Sequence, residues 1–198
     1  KAKELGAVLA SDECYAEMGW GRWESERIPS LLDPRVCSGD YENLIALYSL
    51  SKQSNLAGYR AAFAAGDQNL IKGLVNIRMH SGLIMPAPVQ KAVTVALDDE
   101  EHVRAEWQVY RDRREVLLSA VKDYGFEVAD SEAGLYIWAT LGKDCWDTVR
   151  EMAELGILVV PGEFYEKDSK FVRFSLTATD EKISEGANRL RDALGLKG

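Results

Sequence analysis

Six polar residues in the first third of the sequence follow apolar runs and together offer side chains that could hold and react with a small molecule. They are Asp12, Tyr15, Ser49, Ser51, Lys52 and Arg60. A buried strand delivers the residues at its carboxyl end to the edge of an α/β sheet, where ligands bind. The set supplies a carboxylate, a phenol, two hydroxyls, an amine and a guanidinium. These are the groups needed to bind a phosphorylated aromatic aldehyde covalently.

Lys52 and Asp12 carry the covalent and electronic parts of this chemistry. The Lys52 amine can form a Schiff base with an aldehyde, and the Asp12 carboxylate can pair with a protonated ring nitrogen. Each residue also has a simpler interpretation, because a lysine after a strand can be a solvated loop residue and an aspartate there can cap the following turn. The neighbours of Lys52, which include serines and an asparagine rather than charges, favour the chemical role.

Ser49, Ser51 and Arg60 supply the groups for a phosphate clamp, because hydroxyls and a planar guanidinium bind several oxygens of one dianion. Arg60 could instead pair with a surface carboxylate. Ser51 could point away from the clamp, because neighbouring residues at a strand end often face opposite ways. The Tyr15 phenol could donate a hydrogen bond to a ring oxygen or simply pack in the core.

The segment from Ser49 to Arg60, which reads SLSKQSNLAGYR, resembles the lysine signature of the class I and II aminotransferases of fold type I. In that family the lysine binds pyridoxal 5'-phosphate (PLP) and an arginine follows eight residues later, as Arg60 follows Lys52. The resemblance implies that PLP is the cofactor and that Lys52 is its covalent anchor and a proton shuttle. It also implies cofactor contacts for the other five residues of the set.

Arg173 is a single arginine inside the apolar strand pattern Phe171-Val172-Arg173-Phe174-Ser175. A charged side chain in such a strand is costly unless it is paired or faces solvent. The family resemblance implies that this arginine binds the substrate carboxylate through two hydrogen bonds. The surface-facing alternative stays open from the pattern alone.

Apolar runs and turn residues predict the elements that position these side chains. The predicted strands of the first half are Ala7–Ser11, Leu44–Ser49 and Ala61–Gly66. The first of them is predicted to be a fully buried parallel strand. Asp67 caps a predicted helix that runs to about Met79, and Pro88 can occupy the first turn of another that runs to about Leu97.

The second half begins with a long helix and continues as short strands and helices. One face of the long helix is predicted to carry Val103, Trp107, Tyr110, Leu117 and Val121. We therefore predict two domains, residues 1–98 and residues 99–198. The fold class is α/β. The resemblance implies that the first domain is part of a PLP-binding large domain, with a mostly parallel sheet and one antiparallel strand, and that the second is a smaller α+β domain.

Composition narrows the class of protein further. The chain has 198 residues and a formal net charge of -8, which argues against a nucleic-acid partner. No apolar run approaches the roughly 18 residues of a membrane span. Cys14, Cys37 and Cys145 lack paired-ligand spacing and are interpreted as reduced thiols of a cytoplasmic protein. His80 and His102 form no metal-binding pattern with cysteines or carboxylates, so no metal is assigned.

The start of the sequence indicates a truncated chain, because Lys1–Gly6 reads as the end of a helix that leads directly into a strand. The family's glycine-rich phosphate turn and stacking aromatic residue have no counterpart before Asp12. The segment from Ser81 to Pro88 corresponds to one that reaches the partner subunit in the family, which implies a homodimer.

Three further motifs resemble the actinobacterial N-succinyldiaminopimelate aminotransferases of lysine biosynthesis. They are the segments 131–139, 156–165 and 176–180. The implied reaction transfers an amino group from glutamate to N-succinyl-2-amino-6-oxopimelate. Two alternatives stay open: another PLP enzyme of the same fold, such as an aspartate or aromatic aminotransferase or a β-lyase, or an inactive fragment of the parent enzyme.

Overall fold

A computed structural model describes residues 1–195 and divides the chain into two compact units, Lys1–Trp107 and the residues from Gln108 onward. The strands are β1 (Leu9–Asp12), β2 (Leu44–Ser49), β3 (Ala62–Gly66), β4 (Glu127–Val128), β5 (Tyr136–Thr140), β6 (Val160–Pro161) and β7 (Phe171–Ser175). The helices are α1 (Pro34–Cys37), α2 (Leu50–Gln53), α3 (Gln68–His80), α4 (Ala87–Leu97), α5 (Glu100–Asp123), α6 (Cys145–Glu154) and α7 (Asp180–Ala193). The unit boundary falls within α5, whereas the sequence placed the domain boundary just before this helix.

The first unit contains a three-stranded sheet in the order β1-β2-β3. Strand β1 runs parallel to β2, with Asp12 opposite Leu47. Strand β3 returns antiparallel to β2, with Ser49 opposite Ala62. The carboxyl ends of β1 and β2 and the beginning of β3 therefore lie at the same edge of the sheet.

Strand β1 is exposed, so the prediction of a fully buried strand is wrong. Leu9 is 43% exposed and Val8, which precedes the strand, is 53% exposed. The physical reason is that β1 is an edge strand, paired only with β2 among the described residues. The apolar run was read correctly as a parallel strand, but its burial depends on a covering layer that residues 1–195 do not provide.

Two helices follow β3, and the residues predicted at their starts lie at the cap of α3 and in the first turn of α4. Asp67 accepts hydrogen bonds from the backbone N–H groups of Asn69 at 2.7 Å and Leu70 at 3.3 Å, which caps α3. Pro88 occupies the first turn of α4, where its missing N–H has no helical partner to lose. Neither helix contains a buried residue.

The second unit is a sheet with two helices and the end of α5. Its sheet is four-stranded and antiparallel, in the order β4-β5-β7-β6. Alternate residues of β5 and β7 enter the core, among them Ile137 and Val172, which are both fully buried. Leu117 and Val121 of α5 are buried as their spacing predicted.

The last helix allows a direct test of core packing. Leu190 of α7 is fully buried, and Leu194, just beyond the end of the same helix, is 44% exposed. We expect Leu190→Ala to destabilise the unit by about 2–5 kcal/mol, because truncation removes apolar contacts and leaves a cavity. Urea unfolding of the full-length protein, with Leu194→Ala as the matched control, measures the difference. Equal effects of the two substitutions would contradict the assigned packing.

Glu151 of α6 gives the second unit a pH-dependent contact. Its carboxylate accepts hydrogen bonds from the Lys143 ammonium and, at 2.7 Å, from the Tyr124 hydroxyl. Both hydrogen bonds lower the pKa of Glu151, and the one from Lys143 has the larger effect. A lowered carboxyl pKa means that the stabilisation is present above the unfolded-state pKa and is lost as the pH falls through the folded-state pKa.

We expect Glu151→Gln to lower the free energy of unfolding near neutral pH by no more than about 1 kcal/mol, because the ion pair is partly exposed. The difference between wild type and variant should shrink as the pH falls below the unfolded-state pKa. Denaturant titrations at several pH values measure it. A difference that grows on acidification would reverse the assigned sign.

Candidate active site

The edge formed by β1, β2 and β3 brings together the six residues singled out in the sequence. Asp12 ends β1, and Ser49 ends the neighbouring parallel strand β2. Helix α2 starts immediately after β2 and carries Ser51 and Lys52. The chain then turns through Arg60 and returns as β3.

Lys52 lies half-buried on α2 and faces the loop that follows β1. Its Nζ atom is 5.8 Å from the centroid of the Tyr15 ring. Among residues 1–195 this ammonium has no ion pair and no hydrogen bond, so it remains available for a ligand. A solvated surface lysine would be more exposed, and the geometry favours the chemical interpretation.

Cys14 belongs to the loop that follows β1, and its thiol is influenced by both Asp12 and Lys52. Burial, followed by the hydrogen bond and negative charge of Asp12, raises the pKa of the Cys14 thiol, although the charge of Lys52 acts in the opposite direction. A raised pKa keeps the sulfur protonated and poorly nucleophilic. Cys14 therefore fits a packing role better than a catalytic one.

Asp12 caps its turn, which is one of the two roles that the sequence left open. Its Oδ1 atom accepts a hydrogen bond from the backbone N–H of Cys14 at 3.2 Å, which caps the turn after β1. The Cys14 thiol also donates a hydrogen bond to this carboxylate. The two contacts orient the Asp12 carboxylate at the end of β1.

The hydroxyls of Ser49 and Ser51 point the same way, with their Oγ atoms 2.8 Å apart. Ser51 belongs to the first turn of α2 rather than to the strand, so strand alternation does not separate the two side chains. The Ser49 hydroxyl also donates to the carbonyl oxygen of Ala61 at 3.2 Å, which draws the residue after Arg60 towards β2.

Arg60 adopts a left-handed backbone conformation, with a φ of 53°. Such a conformation is uncommon for a residue with a side chain and persists where the surrounding structure requires it. Its Nη1 atom donates to the carbonyl oxygen of Ala57 at 3.0 Å. No carboxylate pairs with Arg60 among the described residues, so the surface ion-pair alternative is not observed.

The chemistry of this donor set fits PLP. Lys52 and Arg60 are cations without protein counter-ions in the described chain, and the two serine hydroxyls beside them are acceptors or donors for an anion. Asp12 adds one carboxylate on the neighbouring strand, as a protonated pyridine ring requires. No group of three metal-ligating side chains occurs within the described residues, and none of their helices is both long and apolar enough to span a bilayer.

Arg173 lies in the second unit among aromatic rings rather than beside a carboxylate. Its guanidinium carbon is 4.0 Å from the centroid of the Tyr136 ring and 5.4 Å from that of Tyr165. Its buried Nε atom has no hydrogen-bond partner in residues 1–195. The rings offset part of the cost of burying the charge, and the guanidinium is left without an anion.

The aromatic residues around Arg173 were missed as site candidates in the sequence. Trp138 lies directly opposite Arg173 in the β5–β7 pairing, and its ring contacts those of Tyr165 and Phe171 at centroid distances of 5.7 and 5.5 Å. Alternation places Tyr136 and Trp138 on one face of β5, which is a usable signal. It was overlooked because the cross-strand register with Arg173 cannot be read from one strand alone.

The amino-acid sequence is similar to those of known aminotransferases. A transaminase acting on 4-dedimethylamino-4-oxo-anhydrotetracycline, OxyQ of Streptomyces rimosus, is 50% identical over 190 residues, which cover 96% of this chain and 52% of that protein. A probable aminotransferase of Mycobacterium tuberculosis is 46% identical over 190 residues, covering 96% of this chain and 44% of that protein. The chain spans about half the length of these curated relatives.

Solved structures agree on the fold. An aminotransferase from Neisseria meningitidis superposes with a TM-score of 0.86 at 28% identity, covering 97% of this chain and 50% of that one. A probable N-succinyldiaminopimelate aminotransferase from Thermus thermophilus gives 0.79 at 30% identity, covering 97% and 51%.

The fold and site define part of an α/β transferase of fold type I, which confirms the predicted fold class. The family model for aminotransferase class I and II matches residues 1–190. This chain belongs to the class I and II aminotransferases, as the lysine signature indicated. Enzymes of this family depend on PLP, so the predicted cofactor is that of the family.

Proposed function

We propose that the protein carrying this chain is a PLP-dependent transaminase that moves an amino group between an amino acid and a 2-oxo acid. The observation that carries the proposal is the unpaired, half-buried Lys52 ammonium at the same sheet edge as Asp12, Ser49, Ser51 and Arg60. Family membership supports the reaction type.

Each residue of the edge has a defined task in this proposal. Lys52 anchors PLP covalently, and its freed Nζ carries a proton from the substrate α-carbon. Asp12 keeps the ring nitrogen protonated, and Tyr15 donates a hydrogen bond to the ring oxygen. Ser49, Ser51 and Arg60 bind the phosphate. When bound, PLP supplies an electron sink for the negative charge that develops at the α-carbon.

Arg173 is proposed to bind the substrate carboxylate. The support is its guanidinium, which lies over the rings of Tyr136 and Tyr165 and lacks an anion within the described residues. A guanidinium held in this way presents two parallel N–H donors to a carboxylate. We expect Arg173→Leu to raise KM for every carboxylate substrate much more than it lowers the amount of PLP bound.

N-succinyl-2-amino-6-oxopimelate, with glutamate as the donor, is the substrate pair proposed first. The three motifs described above and the likeness to the Thermus thermophilus structure support it. The relatives also include LL-diaminopimelate aminotransferases, whose named substrate has a related carbon skeleton. That of Aquifex aeolicus is 33% identical over 196 residues.

A polycyclic or aromatic ketone is a second candidate acceptor. OxyQ, a 4-dedimethylamino-4-oxo-anhydrotetracycline transaminase, shares half of the aligned residues. The rings of Tyr136, Trp138 and Tyr165 near Arg173 offer apolar aromatic contacts that suit such a molecule. The two candidates differ in charge and shape, so one substrate panel separates them.

The test starts with the full-length protein, PLP and borohydride reduction, followed by peptide mass mapping. A phosphopyridoxyl group on Lys52 alone supports the proposal, and its absence from Lys52 would contradict it. Transamination from glutamate is then compared for N-succinyl-2-amino-6-oxopimelate, an aromatic 2-oxo acid and a polycyclic ketone. The preferred acceptor by kcat/KM decides the substrate class.

A cytoplasmic homodimer completes the proposal. The segment from Ser81 to Pro88 exposes Leu83 and Ile84 at 56% and 61%, which suits an apolar subunit contact. Cys14, Cys37 and Cys145 are free thiols, consistent with a reducing compartment. Light scattering of the full-length protein measures the mass, and a monomer at micromolar concentration would contradict the dimer.

A further inference from the structure

The turn that carries Lys52 is held by a chain of side-chain hydrogen bonds outside the cofactor groups. The Tyr48 hydroxyl donates to Gln53 Oε1, and Gln53 Nε2 donates to Ser54 Oγ at 3.3 Å. Ser54 Oγ lies 2.8 Å from His102 Nε2, and His102 Nδ1 lies 3.2 Å from Asp99 Oδ2. These five side chains run continuously from β2 to the start of α5.

The chain has one consistent direction. A carboxylate only accepts, so His102 donates from Nδ1 to Asp99. When the imidazole is neutral, its Nε2 accepts from the Ser54 hydroxyl. Ser54 then accepts from the Gln53 amide, whose oxygen accepts from Tyr48. Burial, followed by the charge of Glu17 and a hydrogen bond with its carboxylate, raises the pKa of Tyr48 to about 12, so the phenol remains a donor, which Gln53 and Glu17 share. With a neutral imidazole, each link from Gln53 to Asp99 has one donor and one acceptor.

A second bond holds the same turn against the next turn of α5. Asn55 Nδ2 donates to Glu106 Oε1 at 2.6 Å, and Asn55 has a left-handed backbone with a φ of 51°. His102 and Glu106 are four residues apart and lie on one face of the helix. Two consecutive residues of the lysine turn are thus bound to a rigid element.

Lys52 needs such support because α2 consists of only four residues. A helix this short has no stability of its own, so its tertiary contacts determine its position. Leu50 and Gln53 are buried in the unit, and Ser54 and Asn55 are fixed by α5. Lys52 therefore lies in the sequence between residues that are held in place on either side.

We propose that Tyr48, Gln53, Ser54, His102 and Asp99 form a positioning relay that fixes the Lys52 amine for covalent attachment and proton transfer. The five residues act through Lys52 and do not themselves contact the reacting atoms. The inference rests on the proposed function, since positioning matters only if Lys52 reacts. It predicts an effect on kcat rather than on KM.

The test compares Ser54→Ala, Ser54→Thr, His102→Phe and the Ser54→Ala/His102→Phe double variant in the full-length protein. We expect Ser54→Ala and His102→Phe each to lower kcat by roughly tenfold to 100-fold, as small misplacements of a reacting group do. KM should change less than about threefold. Ser54→Thr keeps the hydroxyl and should restore most of kcat. The double variant should be no worse than either single variant, because one chain is broken in each case.

A readout independent of activity is amide hydrogen exchange of the peptide 50–56 in the protein without PLP. We expect faster exchange in Ser54→Ala and His102→Phe, unchanged exchange in α7, and slower borohydride-trapped labelling of Lys52. Additive losses in the double variant, or labelling at the wild-type rate, would overturn the relay. If His102→Phe does not fold, the comparison of Ser54→Ala with Ser54→Thr tests the relay through the same measurements of kcat, hydrogen exchange and Lys52 labelling. Failure of wild-type Lys52 to become labelled would instead refute the proposed function.

Discussion

Lys52→Ala should abolish covalent attachment of PLP in the full-length protein and lower transamination by at least roughly 10²- to 10⁴-fold, the range associated with removal of a positioned proton-transfer group. The reason is that no other described residue brings an amine to this sheet edge, where Lys52 lies near the Tyr15 ring. Folding should be largely unaffected, because the ammonium makes no ion pair or hydrogen bond in residues 1–195. Borohydride mapping and steady-state kinetics measure both effects.

Lys72→Ala is the matched control, since Lys72 is an exposed lysine of α3 in the same unit. It should leave attachment and rate unchanged. Transamination at the wild-type rate in Lys52→Ala would refute the central assignment, whatever the control does. Loss of folding in Lys52→Ala, seen by circular dichroism, would point to a structural role instead.

Asp12→Asn should reduce kcat by roughly 10²- to 10³-fold, the scale seen when one preorganised electrostatic group is removed. The amide keeps the size of the side chain and retains an oxygen for the backbone N–H of Cys14, so the turn after β1 should survive. Only the negative charge is lost. Without it the ring nitrogen of PLP is no longer held in its protonated form.

Stopped-flow measurement of the half-reaction with glutamate isolates this effect from product release. Asp98→Asn, at an exposed position after α4, is the control for removing a carboxylate elsewhere in the unit. A kcat within a factor of two or three of wild type in Asp12→Asn would mean that Asp12 only caps its turn.

The local parts of the fold were predictable from the sequence because the signals are short in range. Strand β2 has the predicted bounds, and Asp67 caps a helix as its position indicated. The lysine signature placed Ser49, Ser51, Lys52 and Arg60 within one segment. Nothing beyond neighbouring residues was needed for those inferences.

The non-local parts were not predictable, for physical reasons. An apolar run such as that of β1 has the same pattern whether or not another layer covers it, so its exposure could not be read. The aromatic surroundings of Arg173 depend on the register between β5 and β7. The relay through His102 requires α5 to lie beside the lysine turn, which no local pattern encodes.

The return of β3 against β2 has a consequence for how this region is assembled. The Ser49 hydroxyl and the Ala61 carbonyl close a loop of 12 residues that contains Lys52 and Arg60. The entropy of closing a loop increases with the logarithm of its length, so a loop this short is inexpensive to close. Contacts of such low sequence separation also form early in folding. The anchor for the aldehyde and the groups for the phosphate therefore belong to one fast-forming hairpin-like segment, which can be ordered before any contact made by a more distant part of the chain.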